Sequence, residues 1–364
     1  MNGRFVRNVL IKGLLLFTLF NLLWAVVDTA PSGRLSMYNS LLGGRERFPF
    51  GENPSESYNL SLYDLDAMFA SHRLDGLPKA ADEFRVIVIG DSSTWGTLLK
   101  PQETLAGILD RAGLHTPDGK QVRFYNLGYP TLSLVKDLMI LDEALQYDPD
   151  LVLWPVTLES FPRNNQLNSP IVANNPTRVN DLIARFNLNL TPLEEKGGFW
   201  QRTIIGQRRT LADRLRLQLY GVMWSATGID QAYPADYTPA LRDLEDDQSY
   251  YGWQPPEFPA DSLAFDLLSA GMQLAGEVPV ILVNEPILIS EGENSDIRYN
   301  YYYPRWAYDV YRLEFSSACA AAGWNCLDLW DAVPQEHFTN SAIHRDAFGE
   351  DIFAQEIVHS GLLP

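Results

Sequence analysis

Two short segments carry residue types suited to nucleophilic chemistry. Gly90-Asp91-Ser92-Ser93-Thr94-Trp95-Gly96 follows directly on the β-branched run RVIVI at 85–89. A serine at a strand-to-helix turn exposes its hydroxyl at the carboxyl edge of a sheet. The backbone N–H groups there lie at a helix N-terminus, where developing negative charge is favoured. Those are the requirements of a nucleophile whose product is an oxyanion. Capping is the competing use, because Asp91, Ser92 or Ser93 could serve only to close the helix end. The second segment is FTNSAIH at 338–344, just ahead of a closing helix. The chain holds five histidines, so the choice of general base is narrow. His344 can reach the serine turn if both strand ends share one rim; otherwise it is an ordinary satisfied surface histidine.

Two further turns would complete such a rim. Asn126-Leu-Gly-Tyr129 ends a second strand, and Gly128 can take positive φ or bring its N–H close to a ligand. Val156-Thr-Leu-Glu-Ser160 ends a third, projecting Thr157 and Glu159 at the same edge. The elements behind them are short apolar runs at 85–89, 122–125, 151–155, 278–283 and 325–329, each reading as a strand buried on both faces. Helical stretches are expected at 94–113, 132–146, 260–275, 303–322 and 347–359. The alternation predicts a parallel five-stranded sheet with helices on both faces, a three-layer α/β/α sandwich. All four segments then fall outside the carboxyl ends of the strands, where open α/β sheets place their ligands. An insertion at about 160–258 separates the third and fourth strands. It has helical periodicity at 179–186 and 199–224 and a tail rich in Pro, Tyr and Asp. A connection this long reads as a functional segment or a lid. The aromatic group Tyr299, Tyr301, Tyr302, Tyr303, Trp306, Tyr308 and Tyr311 reads as core before it reads as a sugar-stacking rim.

Composition narrows the function classes. Of 364 residues, 46% are hydrophobic and 20% charged, an ordinary globular mixture. There are 28 Lys and Arg against 46 Asp and Glu, a net charge of −18. Nucleic-acid binding through bulk electrostatics is excluded, and lying flat on an anionic lipid surface is disfavoured. Two cysteines rule out a disulfide-rich scaffold and a four-Cys zinc site. Cys319 and Cys326 are expected as buried thiols, although a disulfide is permitted outside the cytoplasm. His337 and His344 lack a carboxylate partner at helical spacing, so neither metal nor cofactor is expected.

The N-terminus predicts a membrane anchor. Arg4, Arg7 and Lys12 precede the run GLLLFTLFNLLWAVV. Residues 9–27 are about 19 residues, near the minimum for a bilayer core of roughly 30 Å. The basic flank places residues 1–8 in the cytoplasm and the rest of this single-pass chain outside. An uncleaved signal anchor is preferred to a signal peptide, because no clean small-x-small site follows Trp24. Residues 28–80, rich in Ser, Gly, Asn and Pro, read as a stalk packing partly on a domain at 81–364.

Taken together, the segments resemble the SGNH (GDSL-like) hydrolase family, over about 84–160 and 275–360. RVIVIGDSSTWG looks like the family's nucleophile block, and NSAIHRDAFGEDIFA is similar to its last block. The resemblance implies a flavodoxin-like fold and acyl-ester chemistry. Ser92 would be nucleophile and His344 base, with N–H groups of Ser92 and Gly128 as oxyanion donors. Asp91, Ser93, Asn126 and Glu159 would line the pocket.

Two departures stand out. Glu159 occupies the place of the family's oxyanion asparagine, where an ionised carboxylate would repel the oxyanion; Thr157 could donate instead. Ser341 stands where the family has an aspartate, three residues before the histidine. Asn340, Asp331, Asp346 or Glu350 would then orient His344, or a Ser–His dyad would act without an acid. Loss of an orienting carboxylate costs about 10⁴ in rate in serine proteases. The expected activity is that of an extracytoplasmic serine esterase or O-acyltransferase. Its substrate would be an acyl ester, most simply acetyl, of a cell-surface or exported glycan. The alternative is a degenerate relative that binds glycan or assists a membrane acyltransferase.

Overall fold

Successive residues of each central strand feed opposite hydrophobic cores, as a sheet covered on both faces requires. The computed structural model describes residues 3–27, 64–70, 72–195, 197–228 and 236–364, with the single residues 35, 41 and 233. The strands are β1 (Glu83–Val88), β2 (Gln121–Asn126), β3 (Leu151–Val156), β4 (Val280–Asn284) and β5 (Asn325–Asp328). They form one parallel sheet in the order β2-β1-β3-β4-β5. Ile87, Val152, Trp154 and Leu282 point into one core, while Val86, Val88, Leu153 and Ile281 point into the other.

The helices, in chain order, begin with α1 (Gly3–Trp24), α2 (Leu65–Ala70), α3 (Ser92–Trp95), α4 (Leu105–Arg111) and α5 (Leu134–Ala144). The insertion supplies α6 (Pro170–Ala173), α7 (Pro176–Phe186), α8 (Phe199–Arg202) and α9 (Ile204–Thr227). The series closes with α10 (Phe265–Ala275), α11 (Arg305–Ala322) and α12 (Ala347–His359). Helices α5, α10 and α11 cover the first face of the sheet, and α4 and α12 the second. This is the expected three-layer α/β/α architecture in flavodoxin-like order. β2 and β3 lie on opposite sides of β1, so the connections leaving β1 and β3 diverge and open a crevice at the carboxyl edge. Trp154 sets the spacing of one layer. Its indole lies where a Cβ on Gly271 of α10 would stand 2.5 Å away, so only glycine fits.

Four expectations are corrected. The helix expected at 94–113 is two helices, because Gly96 turns left-handed at φ 93° and Pro101 opens a 3₁₀ turn. Thr104 then caps α4 by accepting from the Gly107 N–H. The first half of the insertion is no lid: Ile171, Val172, Val179 and Leu182 are buried, and Arg178 ties α7 to Glu143 and Asp66. The cysteines are not thiols, since the end of α11 and β5 bring Cys319 and Cys326 together as a disulfide. The apolar helix begins at Gly3, ahead of the expected 9–27.

Among the described residues, α1 is the one helix long and apolar enough to cross a membrane. Within the stretch read as a stalk, 28–34, 36–40, 42–63 and 71 lie outside the described residues. Helix α2, near its end, buries Leu65, Met68 and Phe69 in the first core.

Candidate active site

β1 delivers the chain to Gly90, which has φ 154° and cannot carry a side chain, since a Cβ would meet Thr94 Oγ1 at 2.3 Å. The next residue performs the capping. Asp91 Oδ1 accepts from the Ser93 N–H at 2.8 Å, and its carbonyl accepts from the Trp95 N–H. Ser92 is left half-exposed with its hydroxyl 2.8 Å from His344 Nε2. On the other side of the ring, His344 Nδ1 lies 3.0 Å from Asn340 Oδ1. An amide oxygen only accepts, so Nδ1 carries the proton and Nε2 is free to accept from Ser92. Sequence-distant residues thus form a Ser–His–Asn series, 252 positions apart at its first link.

The loop that holds the imidazole is closed on itself. The His344 carbonyl accepts from the Thr339 N–H at 2.8 Å, and the Ala342 N–H donates to the Tyr301 hydroxyl. His344 is 2% exposed. Burial, helped by the neighbouring Arg345 guanidinium, pushes its pKa down to about 3. The ring is therefore neutral, as a general base must be, over the whole ordinary pH range.

Beneath the serine lies a buried charged layer that the sequence reading missed, apart from Glu350. The Ser93 hydroxyl donates to Glu285, at the end of β4. Glu285 pairs with Arg345 at 3.1 Å, and Arg345 pairs with Glu350 at 3.0 Å; all three are buried. Burial and the nearby Asp91 charge hold the Glu285 carboxyl well above the usual range. Burial pushes Glu350 up to about 7, against the pull of Arg345. Lys136, also fully buried, donates to the carbonyls of Gly90 at 2.6 Å and Tyr129 at 3.2 Å, and so fastens the first two turns together. The available signals were faint: one Lys in an apolar helix, one Glu closing an apolar strand, and an Arg adjoining His344.

The other expected residues divide. Asn126 bridges two turns, its amide donating to the Thr94 carbonyl at 2.9 Å. Its Oδ1 accepts from the Gly128 N–H at 2.9 Å. That corrects the reading of Gly128 as a donor facing the cleft, because the N–H is engaged within its own turn. The glycine is still required, since a Cβ there would lie 2.4 Å from the Trp95 nitrogen. Thr157 is also redirected: its hydroxyl lies 3.1 Å from that of Tyr303 in a buried aromatic group. Glu159 is hydrogen-bonded by the insertion tail. A 3₁₀ turn at Leu158–Ser160 carries it toward the insertion tail, where it accepts from Tyr250 at 3.0 Å and from Tyr251. Burial raises its pKa, and the two phenols oppose that shift. Asp331 is exposed beside Arg312. Asp346 caps α12 through the Gly349 N–H and lies 3.1 Å from His337 Nδ1. Tyr303, Tyr308 and Tyr311 are core, as expected.

No protein-family model matches the sequence. No curated protein matches it. Solved structures do. A carbohydrate acetylesterase from Sinorhizobium meliloti is similar at 14% identity and a TM-score of 0.34, over 76% of this chain and 97% of that one. The M. smegmatis aryl esterase has 14% identity and a TM-score of 0.32, over 76% and 97%. A G-D-S-L family protein from Desulfitobacterium hafniense DCB-2 has 12% identity and a TM-score of 0.31, over 76% and 98%. The solved structures similar to this chain thus include esterases; its own fold is the parallel five-stranded α/β sheet in the order β2-β1-β3-β4-β5, behind an apolar N-terminal helix.

Proposed function

We propose that this chain is a serine esterase or O-acyltransferase, with Ser92 as nucleophile and His344 as base. One observation carries the reading: the 2.8 Å contact between Ser92 Oγ and His344 Nε2, with Nδ1 held by Asn340. Ser92 Oγ attacks the acyl carbonyl as its proton passes to Nε2. The tetrahedral intermediate collapses, and His344 returns the proton to the departing alkoxide, leaving an acyl-serine. Water, or a second sugar hydroxyl, then takes the acyl group by the same steps in reverse. Asn340 fixes the tautomer and gives a smaller stabilisation of the imidazolium than a carboxylate would. The Ser92 N–H would serve the oxyanion.

The substrate proposed is an acyl ester, most simply acetyl, on a cell-surface or exported glycan. Support comes from the sequence resemblance, the basic residues Arg4, Arg7 and Lys12 in the first half of α1, and the Cys319–Cys326 disulfide, which suits an oxidising compartment. In this reading α1 is an uncleaved anchor and the domain is extracytoplasmic. A fluorophosphonate should label the full chain at Ser92, located by peptide mass. Failure to label, with no hydrolysis of an aryl acetate, would favour a second reading. That reading is a degenerate glycan-binding partner of a membrane acyltransferase. The commitment of the Gly128 N–H and the Thr157 hydroxyl inside the protein speaks for it.

Two further results are expected. Because the His344 pKa is depressed, the base form persists into acid, and kcat/KM should stay level from alkaline pH down past 6.5. Its acid limb should fall near pH 3, about the depressed pKa of the ring. A limb at the ordinary histidine value would show that the ring is solvated during turnover. Asn340→Ala should lower kcat about tenfold, the worth of one neutral hydrogen bond, with little change in KM. Asn340→Asp should move the acid limb upward, since a carboxylate favours the imidazolium.

A further inference from the structure

We propose that α8 and α9 form a second membrane contact, lying on the outer lipid surface beside the anchor. The proposal rests on the reading of α1 as a membrane-spanning helix. The position of α9 is fixed by the last turn of α1. The Ile205 N–H donates to Asn21 Oδ1 at 3.1 Å, and Trp24 Nε1 donates to Gln207 Oε1 at 3.4 Å. Asn21 and Ala25 are buried, although α1 is otherwise almost wholly exposed. If α1 spans the bilayer, its end marks the outer boundary, and the start of α9 lies at that level.

The side chains of α8 and α9 suit this level. One face of α9 packs inward through Leu217, Gly221 and Ser225, and Arg214 pairs with Asp64 at 2.6 Å. The opposite face is apolar yet exposed: Leu215 is 59% exposed, Leu219 50% and Met223 56%. These residues recur every fourth position and form a stripe along the helix. Trp200 in α8 is 75% exposed, and Ile205 at the start of α9 is also exposed. An amphipathic helix with apolar and tryptophan side chains on one face and arginines around it is the form that lies in a lipid interface.

Charge selects lipid over a soluble occupant. Residues 199–227 hold five Arg (202, 208, 209, 214 and 216) and the single Asp213, a net +4 against −22 for the rest of the chain. The acidic total argues against the whole domain lying on anionic lipid. Screening limits each charge to about 10 Å at ordinary salt, so the nearest residues set the sign at the surface. Arg214 is paired with Asp64 and Arg216 with Asp213, which leaves the exposed Arg202, Arg208 and Arg209 to meet phosphate headgroups. A single spanning helix leaves a domain free to swivel; a second line of contact along α9 fixes its heading relative to the bilayer.

The test uses the full chain in nanodiscs of phosphatidylcholine and phosphatidylglycerol. Single nitroxides are placed through Leu219→Cys, Met223→Cys, Leu15→Cys in α1 and Leu313→Cys in α11. Leu313 is 72% exposed and serves as the aqueous reference. Power saturation compares access by oxygen, which concentrates in lipid, with access by a water-soluble nickel chelate. The oxygen-to-nickel ratio at 219 and 223 should exceed that at 313 by about fivefold and approach that at 15. A ratio at 219 and 223 equal to that at 313, with 15 reading lipid, overturns the surface contact alone. Protection of 219 and 223 from both reagents overturns it too, by showing a protein cover such as a second copy. If 15 itself reads water, the anchor has failed and the surface contact falls with it.

Discussion

Ser92→Ala is expected to lower kcat for an aryl acetate by about 10⁴-fold or more, with KM nearly unchanged. The magnitude follows from what the hydroxyl does. Without it no acyl-enzyme forms, and His344 can only assist water in its place. In serine hydrolases that act through such a unit, loss of one member costs about 10⁴ to 10⁶ in kcat. The 2.8 Å contact to Nε2 makes Ser92 and His344 one unit here. His344→Ala should therefore cost about as much, and the double variant no more than either single one. Steady-state rates on the full chain in detergent would measure all three. Ser92 is half-exposed and Asp91, not Ser92, caps α3, so the serine variant should unfold at the parent's temperature. A variant with parental turnover would remove Ser92 from the chemistry.

Arg345→Met should destabilise the fold by about 3–5 kcal/mol, because it strips a buried charge from its partners. Arg345 faces Glu285 at 3.1 Å and Glu350 at 3.0 Å, and its guanidinium lies 4.7 Å from the Phe353 ring centre. The methionine fills much of the volume, so the loss is chiefly that of two carboxylates left in an apolar layer. Glu285 and Glu350 are already raised by burial, and without the guanidinium they rise further. An acid raised in the folded state holds its proton there but not in the unfolded chain. Stability of the variant should therefore fall as pH climbs from the unfolded value near 4.5 through the folded one. Urea midpoints at acid and neutral pH would show the difference. The triple variant Arg345→Met, Glu285→Gln, Glu350→Leu should regain part of the loss. If it regains none, the layer is held by packing and not by charge.

The parts of this architecture written in local sequence were readable before any coordinates. RVIVI followed by glycine marks a doubly buried strand and its turn, and the closing helix at Ala347–His359 matches its expected limits. The meeting of Ser92 and His344 was legible because strand ends converge on one edge. What stayed hidden depended on turns and on distant charge. Asn340 supplies the orienting oxygen from one position further back than the aspartate that the resemblance leads one to expect. Ser341 is buried beside the Tyr301 hydroxyl. The Gly128 N–H was lost to an Asn side chain two residues back, a local competition that spacing does not reveal. A 3₁₀ turn starting at Leu158 swung Glu159 toward the Tyr250 hydroxyl. Glu285 and Arg345 pair across 60 positions and leave no periodic trace.

The serine and its histidine sit on opposite ends of the sheet-building chain, one after β1 and the other just before α12. Synthesis is vectorial, so Ser92 is made long before His344. During that interval the Ser92 hydroxyl lacks its His344 partner. Chains interrupted anywhere between the two cannot form the Ser92–His344 contact. Completion of the chain is what brings the pair together.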